Sequence, residues 1–200
     1  MKLVSTPRIE FLRALSTEIL HNYGRGRSIV AVDGVPGSGR SDFADDLAEV
    51  FEEREHPVFR ASMRYFQRSR EDQDRFGEPS AERTYRYGHD YATFRRVLTE
   101  PFRMGVTTSF VTQSFDPDRD AWIEPTWQTA PLDATLIVDG DFMLRRELRD
   151  LWAYSIRLDG EAETEADELY LADVNAEALA TALVDNSDPD RPRRLFRDSC

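Results

Sequence analysis

One stretch of this sequence has the residues of a phosphate-binding loop. Residues 34–41 read Gly-Val-Pro-Gly-Ser-Gly-Arg-Ser, which fits the pattern G-x-x-x-x-G-K-[ST] except at Arg40, where the pattern has lysine. The glycines allow successive backbone N–H groups to point at phosphate oxygens, and the following helix adds its positive N-terminus. The hydroxyl of Ser41 is a candidate ligand for the Mg²⁺ that accompanies ATP or another nucleoside triphosphate. The predicted nucleotide-binding residues are Gly34, Val35, Pro36, Gly37, Ser38, Gly39, Arg40 and Ser41.

Arg40 and Asp139 are the candidate catalytic residues. Arginine keeps the positive charge of the expected lysine, but its broad planar guanidinium is not equivalent to a slim ammonium at a tight site. Lys2 is the only lysine in the sequence, so the chain as a whole favours arginine for positive charge. Asp139 ends an apolar run and is a candidate Mg²⁺ ligand together with Ser41, directly or through water. The alternative for Asp139 is an acid that only caps the following turn.

The elements that must position these residues follow from hydrophobic spacing. The β-branched run 28–33 predicts a buried strand that leads into the loop, and 41–54 predicts a helix with one apolar face. This strand–loop–helix order is the context that a phosphate-binding loop requires. Further strands are predicted at 57–63, 135–140, 154–158 and 182–184, and further helices at 7–20, 92–98, 147–152 and 161–171. The alternation predicts an α/β fold with a doubly wound, mostly parallel sheet and flanking helices.

Three connecting regions have their own signals. The helix at 92–98 is expected to end before Pro101, and the polar residues 68–80 are expected to form a mobile loop. Residues 106–112 and 121–127 flank an Asp-Pro-Asp turn, which predicts a β-hairpin insertion at roughly 105–128. Trp122 and Trp127 suit a hairpin that covers a pocket, although packing is the simpler explanation. The hairpin is also where a homodimer could form.

Composition limits the class of protein. A length of 200 residues fits one domain spanning 1–200, and a net charge of −12 argues against a nucleic-acid partner. The sequence has no run of about 18 apolar residues and no basic-then-apolar leader, so we expect no membrane association and a cytoplasmic location. The single cysteine, Cys200, gives neither a disulfide framework nor a metal–thiolate site.

Beyond the loop, the whole chain resembles the uridine kinase-like P-loop family. The matching pieces are the leading helix, Val-Asp-Gly-Val-Pro-Gly-Ser-Gly at 32–39, Arg-Ala-Ser-Met at 60–63, the hairpin near 106–127, Leu-Ile-Val-Asp-Gly at 136–140, Arg-Glu-Leu-Arg-Asp-Leu-Trp at 146–152 and Val-Asp-Asn-Ser-Asp at 184–188. The resemblance implies the P-loop NTPase fold of nucleoside and phosphoribulose kinases. It also implies ATP and Mg²⁺ as cofactors, transfer of the γ-phosphoryl group to a small hydroxyl substrate, and an adenine near Asp185 and Asn186.

Departures from the family pattern fall on the chemistry. Where the family has an acidic pair that positions or deprotonates the substrate hydroxyl, this chain has Arg-Tyr-Phe-Gln at 64–67. Arg64 and Arg68 are candidates for binding an anionic substrate, and Asp90 is a candidate replacement for the missing acid. The family's long arginine-rich lid is reduced to a short region at roughly 159–175, made acidic by Glu161, Glu163, Glu165, Asp167 and Glu168.

These departures weaken phosphoryl transfer more than they weaken binding. Loss of one charge stabiliser costs about 10²–10³ in rate, and loss of an acid–base group costs about 10²–10⁴. The sequence therefore predicts an ATP-binding protein with attenuated or lost transfer. One alternative is an active small-molecule kinase that uses Arg40. Another is an interaction protein without nucleotide, in which Arg40 fills the loop and bonds to Asp139 or Asp33. Asp33 is otherwise expected to fix loop backbone.

Overall fold

The computed structural model describes residues 2–196, so Cys200 and the expectation attached to it lie outside the described residues. Within this range the strands are β1 (Arg27–Asp33), β2 (Val58–Ser62), β3 (Phe115–Asp116), β4 (Ala121–Trp122), β5 (Ala134–Gly140), β6 (Tyr154–Leu158), β7 (Ala182–Asp185) and β8 (Arg193–Leu195). Six of them form one sheet in the order β2-β5-β1-β6-β7-β8, and β3 pairs with β4 in a separate hairpin.

The sheet is mostly parallel, as predicted. β1 lies between β5 and β6 and runs parallel to both, while β8 is an antiparallel strand at the edge beside β7. In the register, Val32 of β1 and Ser62 of β2 both lie opposite Asp139 of β5. Because parallel strands share their carboxyl edge, this register brings the phosphate-binding loop, Asp139 and the residues after β2 together.

Helices flank the sheet. They are α1 (Pro7–Tyr23), α2 (Arg40–Glu53), α3 (Arg70–Asp74), α4 (Ala81–Tyr87), α5 (Tyr91–Phe94), α6 (Glu100–Met104), α7 (Glu165–Asp173) and α8 (Ala176–Leu179). The start of α1 follows from its sequence, because the Thr6 hydroxyl accepts a hydrogen bond from the Ile9 N–H at 3.2 Å and Pro7 fits the first helical position. Every helix within residues 2–196 is too short or too polar to cross a lipid bilayer.

Each face of the sheet has its own core. On one face, α1 and α2 pack Leu12, Phe43 and Leu47 against β1 residues such as Val30. On the other face, Phe94, Leu98 and Phe102 pack against β5 residues such as Leu136. A third cluster lies around Tyr85, Phe142 and Tyr170, beneath the loop that follows β5. The two-sided burial explains why β1 and β5 are continuous apolar runs.

The expected helix end before Pro101 is wrong. The helix continues from α5 through a π-helical segment at Arg95–Thr99 into α6, which contains Pro101. Proline lacks an N–H, so the helix cannot bond the carbonyl of Val97 in the usual way. The Val111 N–H donates to that carbonyl at 3.0 Å. An outside donor and a wider turn therefore accommodate the proline.

The predicted strands of the hairpin are too long and displaced. Ladder pairing is limited to β3 and β4, where Phe115 lies opposite Trp122, and 106–112 contributes only an isolated bridge between Phe110 and Gln128. Trp122 and Trp127 are 61% and 60% exposed, so neither is a core residue, although the Trp122 ring packs edge to face on Phe115 with a centroid distance of 5.5 Å. Phe110 and Phe115 provide the buried aromatic rings of this region instead.

Smaller differences concern the ends of elements. The expected loop at 68–80 contains α3, and the expected helix at 147–152 is only a 3₁₀ turn at Arg149–Leu151. The helix expected at 161–171 begins at Glu165, because Thr164 and Asp167 form a capping box there. The sequence pattern also missed β8, whose three residues are too few for an alternation to be recognised.

Candidate functional site

The loop between β1 and α2 has the backbone that a phosphate cradle needs. Gly37 and Gly39 have φ angles of 77° and 75°, in the left-handed region where a side chain is strained. Gly39 is the N-cap of α2, and its carbonyl accepts the Phe43 N–H at 2.9 Å. A 14-residue helix therefore starts at the loop and directs its positive end toward it.

Arg40 folds back across this loop. Its Nη1 donates to the carbonyl of Gly34 at 2.6 Å, and its buried Nε has no hydrogen-bond partner among the described residues. The contact expected with Asp139 or Asp33 for a filled loop is not the one that forms. A cavity of about 450 Å³ remains beside the loop, lined by Pro36, Gly37, Gly39, Arg40, Ser41 and Asp42. The guanidinium therefore lies at the loop without closing it.

The side chains of Ser41 and Asp139 meet beside the loop, at the carboxyl edge of the sheet. The Ser41 hydroxyl donates to Asp139 Oδ2 at 2.8 Å, and the Ser62 hydroxyl donates to the same oxygen at 3.1 Å. Arg60 Nη2 lies 2.8 Å from Asp139 Oδ1, and the Asp139 side chain is 2% exposed. The charge of Asp139 is thus balanced by Arg60, for which the sequence predicted no role.

The oxygen atoms near the loop limit how the protein could bind Mg²⁺. Within residues 2–196, no group of three or more His, Cys, Asp or Glu side chains could hold a metal ion. Mg²⁺ at phosphate sites commonly uses one or two protein oxygens plus phosphates and waters, and the Ser41 hydroxyl keeps its lone pairs while donating to Asp139. The residues therefore fit an ion that is bound mainly by a nucleotide. Direct ligation by Asp139 would need Arg60 to move.

Asp33 anchors the floor of the site. It is fully buried and accepts hydrogen bonds from Arg157 Nη1 at 2.9 Å, the Tyr170 hydroxyl at 2.9 Å and the Met143 N–H at 3.1 Å. Burial raises the pKa of Asp33, and the charge of Arg157 opposes that shift. The sequence predicts that Asp33 fixes the backbone of the phosphate-binding loop, but the backbone group that its side chain holds is the Met143 N–H in the loop after β5.

Asn186 fixes the phosphate-binding loop from the other side. Its Nδ2 donates to the Ser38 carbonyl at 2.8 Å, and its Oδ1 accepts from Arg8 Nη1 at 3.3 Å. Asp185 instead accepts from Ser187 and pairs with Arg193. A role near adenine stays a prediction for both residues, whereas the structure gives Asn186 a contact with the loop itself.

The residues predicted to contact the phosphoryl acceptor, Arg64, Arg68 and Asp90, each contact other residues of the protein. Arg64 is exposed and pairs with Asp118 of the hairpin turn, which raises the pKa of Arg64. Arg68 lies with its Cζ 5.3 Å from the centre of the Phe76 ring. Asp90 caps α5, because its two oxygens accept from the Thr93 N–H and hydroxyl at 3.0 and 2.7 Å. Substrate roles for the three remain predictions.

A cavity of about 280 Å³ lies between Ser41 and Arg64, and neither Arg68 nor Asp90 is among the residues that line it. Its lining includes Ser41, Asp45, Arg60, Ser62, Arg64, Tyr65, Thr112, Gln113 and Asp139. Arg60 Nη2 also lies 2.8 Å from Asp45 Oδ1, so both acids at this cavity already have a guanidinium partner. A hydroxyl substrate in this cavity would therefore meet carboxylates whose charge is already compensated by Arg60.

His89 is a buried histidine beside the same edge. It forms a bridge with Gln67, and its Nε2 lies 3.5 Å from Asp141 Oδ1. Neither ring nitrogen has a hydrogen-bond partner among the described residues. Burial lowers the pKa of His89, and the charges of Arg145 and Arg40 lower it further, while Asp141 opposes them. The imidazole is therefore neutral at pH 7.

Sequence reasoning missed Arg60, Asn186 and Arg157 as supports of the site. Arg60 lies two residues before Ser62 on β2, and the same-face rule for strands was the available signal. Asn186 could be placed only once the carboxyl end of β7 was known to lie beside the loop. Arg157 occupies a strand position expected to be apolar, and its need for a buried acid was a usable signal.

Comparisons with known proteins support the fold. No family model matches the sequence, and no curated protein matches it at a significant level. The chain is similar to a possible uridine kinase from Bacillus stearothermophilus, with a TM-score of 0.76 and 19% identity over 89% of this chain and 97% of that chain. It is also similar to a proposed fructose transport system kinase from Silicibacter sp. TM1040, with a TM-score of 0.63 and 25% identity over 75% of each chain. The uridine kinase-like P-loop fold is confirmed.

Proposed function

We propose that this protein binds ATP or a related nucleotide through Gly34–Ser41 with Mg²⁺, and that phosphoryl transfer to a nucleoside or other hydroxyl substrate is attenuated or lost. The observation that carries the proposal is the loop itself. Two glycines in left-handed backbone lead into α2 beside a cavity of about 450 Å³, which is the geometry that backbone N–H groups need to hold phosphate. A cytoplasmic location and a homodimer remain predictions from the sequence.

The proposed loss of phosphoryl transfer is inferred from the residues that would face the hydroxyl substrate. Asp139 and Asp45 are both paired with Arg60, Asp90 is engaged by Thr93, and position 64 carries an arginine. A general base must reach the substrate hydroxyl with a free lone pair. Each of these three acids is already held by an arginine or by the start of α5, so reorienting it toward a substrate hydroxyl would weaken that contact.

Calorimetric titration with Mg–ATP and Mg–ADP tests the binding. The wild-type protein should bind in the micromolar range, and Gly39→Asp should abolish binding because a side chain is strained at φ 75° and lies against Asn186. Gly77→Asp is the matched control, since Gly77 also has positive φ but has open space around it. Absence of binding by the wild-type protein to ATP, GTP and their diphosphates would refute the proposal.

An active kinase is the second candidate, favoured by the retained Ser41–Asp139 contact and by the positive charge of Arg40 at the loop. Screening nucleosides and sugars for ADP release decides between the two. Arg40→Lys adds information, because a clearly faster lysine variant would show that the fold supports transfer and that arginine slows it. The third candidate, an interaction protein without nucleotide, is excluded by any saturable binding that Gly39→Asp removes.

A further inference from the structure

A short segment after β6 crosses the phosphate-binding loop. At its start, the Asp159 N–H donates to the Val184 carbonyl at 2.8 Å. Next, a Cβ built on Gly160 would lie 3.2 Å from Val35 Cγ2, so the segment is packed on the loop. At its end, Thr164 caps the start of α7 and forms a capping box with Asp167. The residues between these anchors are therefore held over the loop.

Glu163 is the residue of this segment that reaches the loop glycines. A Cβ built on Gly37 would lie 2.5 Å from Glu163 Oε1 and 3.3 Å from Oε2, so the Glu163 carboxylate occupies the space that a side chain at position 37 would need. Gly37 also lines the cavity beside the loop. Within residues 2–196, no arginine, lysine or histidine forms an ion pair with Glu163. A carboxylate without an ion-pair partner among the described residues thus lies at the edge of the phosphate cradle.

A carboxylate at this position acts against the ligand that the loop attracts. Two unit charges 4 Å apart in water interact by about 1 kcal/mol, which corresponds to about a fivefold change in affinity. A free polyphosphate feels this repulsion most, because its charge is uncompensated. When Mg²⁺ is bound to the phosphates, the net charge that faces the carboxylate is smaller, and so is the repulsion.

We propose that Glu163 selects phosphate ligands by charge: it weakens binding of free polyphosphates more than binding of their magnesium complexes. This inference rests on the proposed nucleotide binding and adds a specificity-determining residue to that site. The role belongs to Glu163 because of its contact with Gly37. Glu161 lies on the same exposed segment with the same charge and provides the matched control.

Calorimetric titration of three proteins tests the proposal: wild type, Glu163→Gln and Glu161→Gln. The probes are inorganic tripolyphosphate and ADP, each measured in EDTA and in excess Mg²⁺. Glu163→Gln should bind both probes about fivefold more tightly in EDTA, and less than twofold more tightly in Mg²⁺. Glu161→Gln should stay within twofold of the wild type in every condition. Because Glu163 is exposed, thermal melting should confirm that the variant is folded.

The remaining outcomes separate the inference from the function on which it rests. If wild type and Glu163→Gln bind alike, or if both conditions improve by the same factor, charge selection by Glu163 is refuted and nucleotide binding stands. Weaker binding by Glu163→Gln would also refute it, since the carboxylate would then assist the ligand. If none of the three proteins binds either probe, the proposed function and the inference both fail.

Discussion

The two sides of the sheet's carboxyl edge differ in how their polar groups are used. On the nucleotide side, the groups around Gly34–Ser41 support a loop whose cavity stays open: Asn186 holds the Ser38 carbonyl, and the buried pair of Asp33 and Arg157 holds the floor. The other side, called the acceptor side here, is where a hydroxyl substrate would have to bind. There, Arg60 pairs with Asp45 and Asp139, and Arg64 pairs with Asp118. Around the loop, the polar groups leave the cavity accessible to a ligand. On the acceptor side, the charged side chains are paired with one another.

This difference underlies the proposal that nucleotide binding is kept and phosphoryl transfer is attenuated or lost. Phosphate binding needs backbone N–H groups and a helix N-terminus, which side-chain substitutions elsewhere leave intact. Transfer needs a positioned acid or base, and a single ion pair can remove it. Binding should therefore depend on the supports of the loop, whereas changes on the acceptor side should have small effects.

The largest effect is expected from Arg157→Met. The substitution leaves the fully buried Asp33 without its ion-pair partner, so the free energy of unfolding should fall by about 3–5 kcal/mol. Loss of the arginine also raises the pKa of Asp33 further, so the destabilisation should be smaller at low pH, where the carboxyl is protonated. Urea denaturation at two pH values measures both effects. Adding Asp33→Asn should recover part of the stability, and no recovery would contradict the pairing.

A smaller effect is expected from the titration of His89. Burial lowers its pKa in the folded protein, so the stability that depends on the neutral ring is complete above the unfolded-state value of about 6.5 and is lost as the pH falls below it. The loss should reach up to about 1.4 kcal/mol per pH unit. Denaturation at pH 7.5 and 5.5 should show it for the wild type and show less of it for His89→Gln. His56, whose pKa is also lowered by burial, is present in both proteins. Equal pH dependence would contradict the prediction.

Removal of a loop support should weaken the nucleotide side. Asn186→Ala deletes the hydrogen bond to the Ser38 carbonyl, which is worth about 1 kcal/mol, so affinity for Mg–ADP should fall about fivefold. Asn22→Ala is the control, because Asn22 also donates to a backbone carbonyl but does so on the exposed end of α1. Equal affinities for the two variants in calorimetry would show that Asn186 does not support the loop.

The smallest effect is expected on the acceptor side. Arg64→Ala breaks a pair in which both side chains are more than half exposed, so the free energy of unfolding should change by less than about 0.5 kcal/mol. Thermal denaturation monitored by circular dichroism can measure this. A loss above about 2 kcal/mol would show that the contact with Asp118 organises the hairpin, contrary to the contrast drawn between the two sides.

The sequence allowed prediction of the nucleotide side better than of the acceptor side, for a physical reason. The run from β1 through Ser41 into α2 is local, so spacing, glycine positions and apolar periodicity within 27–53 were sufficient. The pairing of Arg60 with Asp139 joins residues 79 positions apart and depends on strand order and register. The helix through Pro101 is supported by the Val111 N–H, which donates to the Val97 carbonyl, and the β3–β4 ladder pairs Phe115, which is buried in the core, with Trp122. Local patterns do not encode such distant partners.

The most direct test measures binding and turnover on one preparation of the wild-type protein. Mg–ATP binding is followed by calorimetry, and ADP release is followed in the presence of a panel of nucleosides and sugars. We expect saturable micromolar binding and ADP release below about 0.1 s⁻¹, at least tenfold under the range of about 1–100 s⁻¹ common for kinases. Turnover within that range for any acceptor would contradict the loss of transfer, and absence of binding would contradict the retained nucleotide site.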